Sequence, residues 1–332
     1  MKKGLMTIVV FLVVLVCITP AWTAEIKVNG LAQTQFVYDA SLIGKETSFT
    51  VKRARAIVKG DLGDNIGLFS QLEMFTNAIN ILDLVIDYNV VGVAKIGVGR
   101  FTKPFGLQNP GSSYNLHTVN YAQVVSRLIG SGSRDFGVRL IGNCAGIDWT
   151  VAVINGNDGG ATVSTATVAN TVTGVVTTTV SSTDSNIAKD IVARIGITPF
   201  ENLTIGSSIY KDSSSSEATS RVGGNLKYEK TPIYIQVEYI YGKDGGLDRN
   251  GGYIEAGYSI EKIQPIVRAE YYDGNASVED SSEIMIAAFG LNYYINDSAK
   301  IQLICELKKD KLGAGLTDAM NDGFIIQTAV KF

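Results

Sequence analysis

The stretch NDGFIIQTAVKF, residues 321–332, decides the fold that this sequence predicts. Phe324, Ile326, Thr328, Val330 and Phe332 share one parity, and the residues between them share the other. A period of two is typical of a β-strand whose two faces meet different surroundings. A frayed terminus in water is rarely so regular or so apolar. The stretch therefore predicts a structured final strand that ends on an aromatic residue.

The same alternation recurs in about sixteen segments between residue 25 and the C-terminus. Short connectors alternate with longer ones that are rich in Gly, Ser, Asn and Asp. The exception is the connector at 77–80, which is short where the alternation predicts a long one. An even strand number and alternating turn lengths are typical of closed outer-membrane barrels with both termini on the periplasmic side. The predicted strands lie near 26–38, 48–60, 65–76, 81–90, 94–101, 135–142, 147–155, 189–197, 203–211, 220–228, 233–241, 252–260, 263–272, 283–294, 299–309 and 322–332.

A soluble β-sandwich would alternate as well, so two further observations separate the two folds. Charged residues recur on one parity in strand after strand, which a water-filled lumen tolerates and a dry core does not. Aromatic residues gather near strand ends on the other parity, as membrane-interface girdles require. The sequence therefore predicts an all-β fold, a transmembrane antiparallel β-barrel of about 16 strands. The girdle residues are Trp149, Tyr228, Tyr241, Tyr258, Tyr271, Tyr293 and Phe332.

The N-terminal residues, MKKGLMTIVVFLVVLVCITPAWTA, have the order of a secretory signal. Two lysines precede an apolar run from Leu5 to Ile18, and small residues follow up to Ala24. A charged, an apolar and a small-residue region in this order are typical of a cleaved signal, and the apolar run is too short to span a bilayer comfortably. We therefore expect a signal peptide over 1–24 and a single barrel domain over 25–332.

The composition excludes several classes of function. The 29 basic and 32 acidic residues give a net charge of −3, which becomes −5 without the two lysines of the signal, so a globally basic nucleic-acid-binding protein is excluded. Cys144 and Cys305, which remain after signal cleavage, are too few for a disulfide scaffold. His117 is the only histidine and has no acidic neighbour in the sequence, and no phosphate-binding loop or metal-ligand spacing is present. We predict no enzyme activity, no cofactor and no metal.

Four stretches, taken in order, resemble the phosphate-selective porin O and P family. They are FTVKRARAIVKGDLG at 49–63, GVGRFTKPFGLQNPGSSYNLHTVNYAQ at 97–123, SRDFGVRLIGN at 133–143 and WTVAVINGNDG at 149–159. In that family a barrel strand with a similar glycine-rich motif runs into a long loop, and the motif falls here on Lys103, Pro104, Phe105 and Gly106. The next strand would begin with Arg134, Asp135 and Gly137. The resemblance implies a 16-stranded, trimeric, anion-leaning diffusion pore in the outer membrane of a Gram-negative bacterium.

A barrel of this size encloses an aqueous channel unless something fills it. The connector after the fifth strand, about 102–132, is the expected inward-folded loop, and from Thr102 to Arg134 the sequence contains no Asp or Glu. Cations without carboxylates lower the energy of an anion in a narrow passage. We therefore expect an anion pathway lined by Lys103, Arg127, Arg134, Arg53, Arg55, Lys95, Arg139, Arg194 and Arg268.

The lumen parity of the strands carries twelve basic against eight acidic residues, a mild positive excess, although any of these cations could instead form a salt bridge with an acidic neighbour. Arg100 falls on the lipid parity, where a charge at mid-bilayer depth would cost about 2–4 kcal/mol, so we expect it at the rim or after a bulge. The twelve basic residues are Arg53, Arg55, Lys59, Lys95, Arg139, Arg194, Arg221, Lys227, Arg268, Lys300, Lys308 and Lys331. The acidic ones are Glu73, Asp83, Asp87, Asp148, Glu238, Glu255, Glu270 and Glu306.

These observations predict a porin, a water-filled channel for passive diffusion of small hydrophilic solutes with mild anion preference. Phosphate or other inorganic anions are candidate solutes. The expected partners are outer-membrane lipid, two further copies in a homotrimer, and the barrel-assembly machinery through Phe332. The alternative is a barrel that acts through its surface loops in binding or adhesion. Its Thr/Val/Ser-rich tract, 156–188, would be either a hairpin that extends the flanking strands or an irregular surface loop.

Overall fold

A computed structural model describes most of the chain after the predicted signal. Of the predicted signal peptide, 1–24, only Ala24 lies within the described residues. The described residues are 24–40, 47–75, 79–90, 94–156, 168–169, 176–177, 188–213, 219–278, 282–311 and 322–332.

Sixteen long antiparallel strands close into one barrel in the part of the chain that the structure describes, which confirms the predicted fold. Neighbours in sequence are neighbours in the sheet, and β7 (Ile147–Ile154) pairs with β10 (Asp190–Phe200). Between these two, β8 (Val168–Ala169) and β9 (Val176–Thr177) form a separate two-stranded sheet. The barrel strands are β1 (Glu25–Asp39), β2 (Thr47–Asp61), β3 (Ile66–Glu73), β4 (Asn80–Val90), β5 (Ala94–Thr102), β6 (Arg134–Cys144), β7 (Ile147–Ile154), β10 (Asp190–Phe200), β11 (Leu203–Lys211), β12 (Thr219–Lys230), β13 (Ile233–Asp244), β14 (Leu247–Tyr258), β15 (Ile263–Asp273), β16 (Glu283–Asn296), β17 (Ala299–Lys311) and β18 (Gly323–Lys331).

The last strand closes the ring against the first. β18 pairs with β1 from Leu31 opposite Lys331 to Asp39 opposite Gly323. Beyond the strand, Phe332 and Gly30 exchange two backbone hydrogen bonds, of 2.7 Å and 3.1 Å. The Phe332 ring lies against Gly30, where any Cβ would collide with it. The C-terminal aromatic is therefore part of the seam, and 73% of its surface is exposed.

The two faces of each strand differ as the alternation predicts. Side chains such as Ile86, Val98 and Val267 are more than half exposed on the outer face, as expected where lipid replaces water. Polar side chains such as Gln302 and Gln327 point to the lumen and are buried there. No helix in the described ranges is long and apolar enough to cross a membrane.

Two local features depart from the predicted strand pattern. The glycine-rich stretch at 242–251 was expected to be a long loop before a strand at 252–260, but β13 and β14 are joined by a tight turn at Gly245 and Gly246, and β14 begins at Leu247. Gly245 has a φ of +59°, a conformation that a two-residue hairpin favours and that glycine adopts without strain. The second feature is a register shift between β1 and β2, at which Arg53 faces Gln33 and Val51 faces Thr34, so that Lys52 is an extra residue.

Arg100 lies at the rim, as the lipid-face argument requires. It is two residues from the end of β5 and pairs with Leu84 without a register shift in β5. Its guanidinium donates a hydrogen bond to the carbonyl oxygen of Ile81 and lies 5.8 Å from the centre of the Phe136 ring. A backbone carbonyl and an aromatic face stabilise this charge without a carboxylate.

Candidate constriction and passage

The connector between β5 and β6, residues 103–133, crosses the interior of the barrel. The backbone N–H of Gly106 donates to Ser208 Oγ on β11 at 3.0 Å. On the opposite side of the ring, Gln33 Nε2 on β1 donates to the carbonyl oxygen of Ser113 at 3.4 Å. Strands β1 and β11 are separated by half of the ring in the strand order. A segment that contacts both through lumen-facing side chains lies inside the barrel.

Apolar packing holds the second half of the connector against the wall. A short helix, α1 (Gln123–Leu128), buries Val124, Val125 and Leu128, and a single 3-10 turn precedes it at Ser113–Asn115. These side chains join a cluster with Phe105 on the connector, and the wall contributes Ile154, Val192, Ile240, Tyr253 and Tyr272. The connector therefore covers apolar residues of the wall whose exposure to water in the lumen would be unfavourable.

Carboxylates of β13 to β17 accept hydrogen bonds from the connector. The Leu107 N–H donates to Glu238 Oε1 at 2.9 Å, and the Gln123 N–H donates to Glu270 Oε2 at 2.5 Å. Side chains add two more bonds, from Thr118 Oγ1 to Glu255 at 3.0 Å and from Asn120 Nδ2 to Glu306 at 3.2 Å. Hydrogen bonds to ionised acceptors are stronger than neutral ones, so these four carboxylates fix the path of the connector.

Arg268, one of the predicted pathway residues, lies beneath the connector rather than in open lumen. It is 3% exposed. Its guanidinium nitrogens are 2.6 Å from Glu270 and 3.5 Å from Glu255, and one of them donates to the Asn120 carbonyl oxygen at 2.9 Å. Since both carboxylates also bind the connector, Arg268 joins the wall to the constriction.

Three further predicted residues are also engaged by protein groups. Lys103 is 6% exposed, with its ammonium nitrogen 3.9 Å from Asp135 and 5.4 Å from the centre of the Tyr210 ring. Arg194 donates to the carbonyl oxygen of Gly106 at 3.0 Å. Arg127 is exposed in the last turn of α1, and its Nε lies 3.5 Å from the side-chain oxygen of Gln123. The alternation in sequence predicts that Arg194 faces the lumen, but it does not predict the contact with the connector.

Between the connector and the opposite wall runs a cavity of about 990 Å³, which we call the passage. The connector forms one side through Pro104 and residues 109–115, and strands β1 to β7 with the end of β18 form the other. Its lining extends from Lys59 and Lys95, near the rim with both termini, to Thr102 and Arg134, near the opposite rim. The charged lining residues among those described are Arg55, Lys59, Lys95, Arg134, Arg139 and Lys331, with Asp83 and Asp87.

Half of the lining cations are neutralised. Arg134 pairs with Asp83 at 2.9 Å, Arg139 with Asp87 at 3.2 Å, and Arg55 with Glu73 at 2.8 Å. For Lys59, Lys95 and Lys331, no carboxylate of the described ranges is within the 4.0 Å of an ion pair. The passage therefore carries an excess of positive charge, and low-dielectric walls strengthen its field.

His117 lies near the middle of the connector and contacts Gln264 and Tyr234 of the wall. Its Nδ1 is 2.8 Å from the side-chain oxygen of Gln264, and its ring centre is 3.8 Å from that of Tyr234. Burial lowers the pKa of His117, an effect that the charge of Glu255 partly opposes. In the described part of the chain, no group of three or more His, Cys, Asp or Glu side chains could hold a metal.

The model of one protein family, phosphate-selective porin O and P, matches residues 26–323. The chain belongs to this family. No curated protein sequence matches it. As a member of this porin family with a closed barrel, the protein resides in the outer membrane of a Gram-negative bacterium.

Solved structures of other proteins share the fold at low sequence identity. A loop L8 deletion mutant of OmpT from Vibrio cholerae is 11% identical with a TM-score of 0.64, over 93% of this porin and 99% of the other chain. A trimer form of OmpT from the same organism is 11% identical with a TM-score of 0.62, over 93% and 99%. OmpF of Salmonella typhi in complex with daunomycin is 11% identical with a TM-score of 0.65, over 92% and 97%.

Gly106 at the start of the porin's connector allows a first prediction. Gly106→Ala is expected to lower the free energy of unfolding by about 1–3 kcal/mol, because a Cβ would collide with the Glu238 carboxylate and the backbone has a φ of +74°. Urea unfolding of the folded barrel in detergent measures the change. Gly224→Ala is the matched control, since its added methyl group meets nothing within 4 Å. An equal effect of both substitutions would contradict the anchoring of this turn.

Proposed function

We propose that this porin is a passive diffusion pore for small hydrophilic solutes with a mild preference for anions. The observation that carries the proposal is the lining of the passage, where six basic side chains face two acidic ones among the described residues. Phosphate and other inorganic anions are candidate solutes. The three unneutralised cations are single side chains on different strands rather than a dense cluster, an arrangement that supports weak selection over tight binding.

The physical basis of this preference is the field of the passage. Lys59 and Lys95 raise the potential near one rim, and the pairing of Asp83 with Arg134 and of Asp87 with Arg139 leaves little negative charge to oppose it. Such a field lowers the energy of an anion and raises that of a cation, most strongly where the connector narrows the lumen. Salt screens the effect, because the Debye length is about 10 Å at 0.1 M ionic strength.

Planar-bilayer recordings of the purified protein test the proposal. Stepwise conductance is expected, with a reversal potential in a potassium chloride gradient that has the sign of preferred chloride passage. The displacement from zero should shrink as the mean salt concentration rises, because the lining charges become screened. Absence of conductance steps would contradict the pore, and a reversal potential of the opposite sign would contradict the anion preference.

Export and assembly belong to the same proposal. We infer that the segment 1–24 directs export and is cleaved, and that the outer apolar face contacts membrane lipid. The exposed ring of Phe332 on the seam would be available to the barrel-assembly machinery. A homotrimer is proposed because a solved relative in fold, OmpT of Vibrio cholerae, is described in a trimer form. Family membership and the barrel imply a channel rather than an enzyme.

The loop-binding alternative stays a hypothesis. The tract at 156–188, for which two forms are expected, lies largely outside the described residues. Deletion of 157–187 separates the functions: a diffusion pore keeps its conductance, whereas a binding protein loses its partner and conducts little before or after the deletion.

A further inference from the structure

A second cavity, of about 230 Å³, lies between the connector and strands β2, β15, β16 and β17. We call it the side pocket. Tyr121 borders both the side pocket and the passage, so a solute in the pocket is next to the route through the lumen. Two cations of the side pocket, Lys52 and Arg53, do not line the passage.

Lys52 and Arg53 are adjacent in sequence, yet both side chains line this pocket. Neighbours in a regular strand point to opposite faces, and the register shift opposite Gln33 and Thr34 removes that constraint. Lys52 Nζ lies 3.4 Å from Asn120 Oδ1 on the connector, and Arg53 Nη1 donates to Gln33 Oε1 at 2.8 Å. Within the described ranges, neither cation has a carboxylate at ion-pair distance.

The acidic side chains of the pocket are already engaged. Glu270 pairs with Arg268 at 2.6 Å and accepts from the Gln123 N–H, while Glu306 pairs with Lys308 at 3.2 Å and accepts from Asn120. Their charges are therefore largely balanced by local donors, and Lys52 and Arg53 supply the excess. Two adjacent, unneutralised cations beside a polar cavity attract a single anionic group strongly.

Hydroxyl groups complete the lining. Ser126 Oγ and Ser131 Oγ are 2.8 Å apart at one part of the pocket, and the Tyr121 side chain lines another. Each hydroxyl can both donate and accept a hydrogen bond, and Glu306 offers further acceptor sites. A ligand that carries only an anionic group would leave these groups unused. At about 30 Å³ for each water molecule in the liquid, the pocket has room for several heavy atoms.

We propose that the side pocket binds a small hydroxylated carboxylate, whose carboxyl group contacts Lys52 and Arg53 and whose hydroxyl groups bond to the serines and Glu306. Glycerate is the simplest probe of this class. The site extends the proposed pore function by giving the channel a binding step for one class of organic acid, and its binding does not depend on conduction. A solute on a diffusion route must also leave again, so we expect a dissociation constant of about 1–10 mM.

Saturation-transfer NMR on the folded barrel in detergent tests the site directly. Glycerate should give a saturable signal, while acetate, which lacks hydroxyl groups, and glycerol, which lacks a carboxylate, should compete at least about tenfold more weakly. Lys52→Gln and Arg53→Gln should each weaken glycerate binding about tenfold or more, since each removes one of the two cations. Lys211→Gln, an exposed residue at the end of β11 outside the pocket, should leave it unchanged.

Four results would overturn the proposal: no saturable glycerate signal, acetate as good a competitor as glycerate, inorganic phosphate a better one, or full binding in both pocket variants. A phosphate preference would mean that the pocket takes inorganic oxyanions instead. Bilayer recordings of the same preparations keep the two proposals apart. A conducting, anion-preferring channel without glycerate binding refutes only the pocket, and glycerate binding without conductance refutes only the pore.

Discussion

Arg268→Ala is expected to lower the free energy of unfolding by about 3–5 kcal/mol, because it leaves two buried carboxylates without their shared cation. Glu255 and Glu270 are both almost fully buried, and both also accept hydrogen bonds from the connector. The substitution therefore weakens the barrel wall and releases the middle of the connector at once. Urea unfolding in detergent measures the first effect, and an increase in single-channel conductance with larger current noise measures the second.

The control for this prediction is Arg127→Ala in the same connector. Arg127 is exposed in α1 and has no ion-pair partner in the part of the chain that the structure describes, so its loss should change the free energy of unfolding by no more than about 0.5 kcal/mol. If Arg268→Ala unfolded at the same urea concentration as the wild type and conducted identically, the connector would have to be held by its apolar cluster alone. That outcome would contradict the role of Arg268 in holding the connector against the wall.

The largest effect on selectivity is expected from the double substitution Lys59→Glu with Lys95→Glu. It changes the described lining of the passage from six basic and two acidic residues to four of each, and it reverses the charge of two of the three lining cations that have no ion-pair partner among the described residues. The ratio of chloride to potassium permeability should fall several-fold, to about one or below, because the field that favours anions disappears. Reversal potentials in a potassium chloride gradient at low salt measure the ratio.

Lys230→Glu is the matched control for charge reversal. Lys230 ends β12 near the same rim, is exposed, and has the outward parity, so it changes the net charge without changing the lining. An equal shift in both variants would mean that the overall charge of the protein sets the selectivity. No shift in the double variant would mean that solutes avoid this part of the lumen.

Much of the barrel could be predicted because its strands are defined locally. Alternation and turn residues are read over ten residues at a time, and the strand predicted at 135–142 is found at Arg134–Cys144. The exception at β14 has a local cause as well. Glycine-rich composition suggested a loop, but two glycines suffice for the turn, and the residues after Leu247 continue the pairing with β13.

The site could be predicted only in part, because parity gives the direction of a side chain and not its neighbours. Lys59 and Lys95 line the open passage, whereas Arg268 has the same formal charge and is buried beneath the connector. The path of the connector depends on contacts with strands more than a hundred residues away, such as that from Leu107 to Glu238. Lys52 was missed for a different reason: the bulge that turns it inward has no clear signal in the sequence.

The order of contacts along the chain has a consequence for biogenesis. The connector follows β5, but its hydrogen bonds reach Glu238, Glu270 and the Asp297 carbonyl oxygen, at separations of 131, 147 and 183 residues. Contacts of such high sequence separation form late and slowly during folding. A partly assembled sheet would hold the connector in water with its backbone solvated. The narrow section of the channel, and any preference it imposes on solutes, would thus be the last property that the maturing protein acquires.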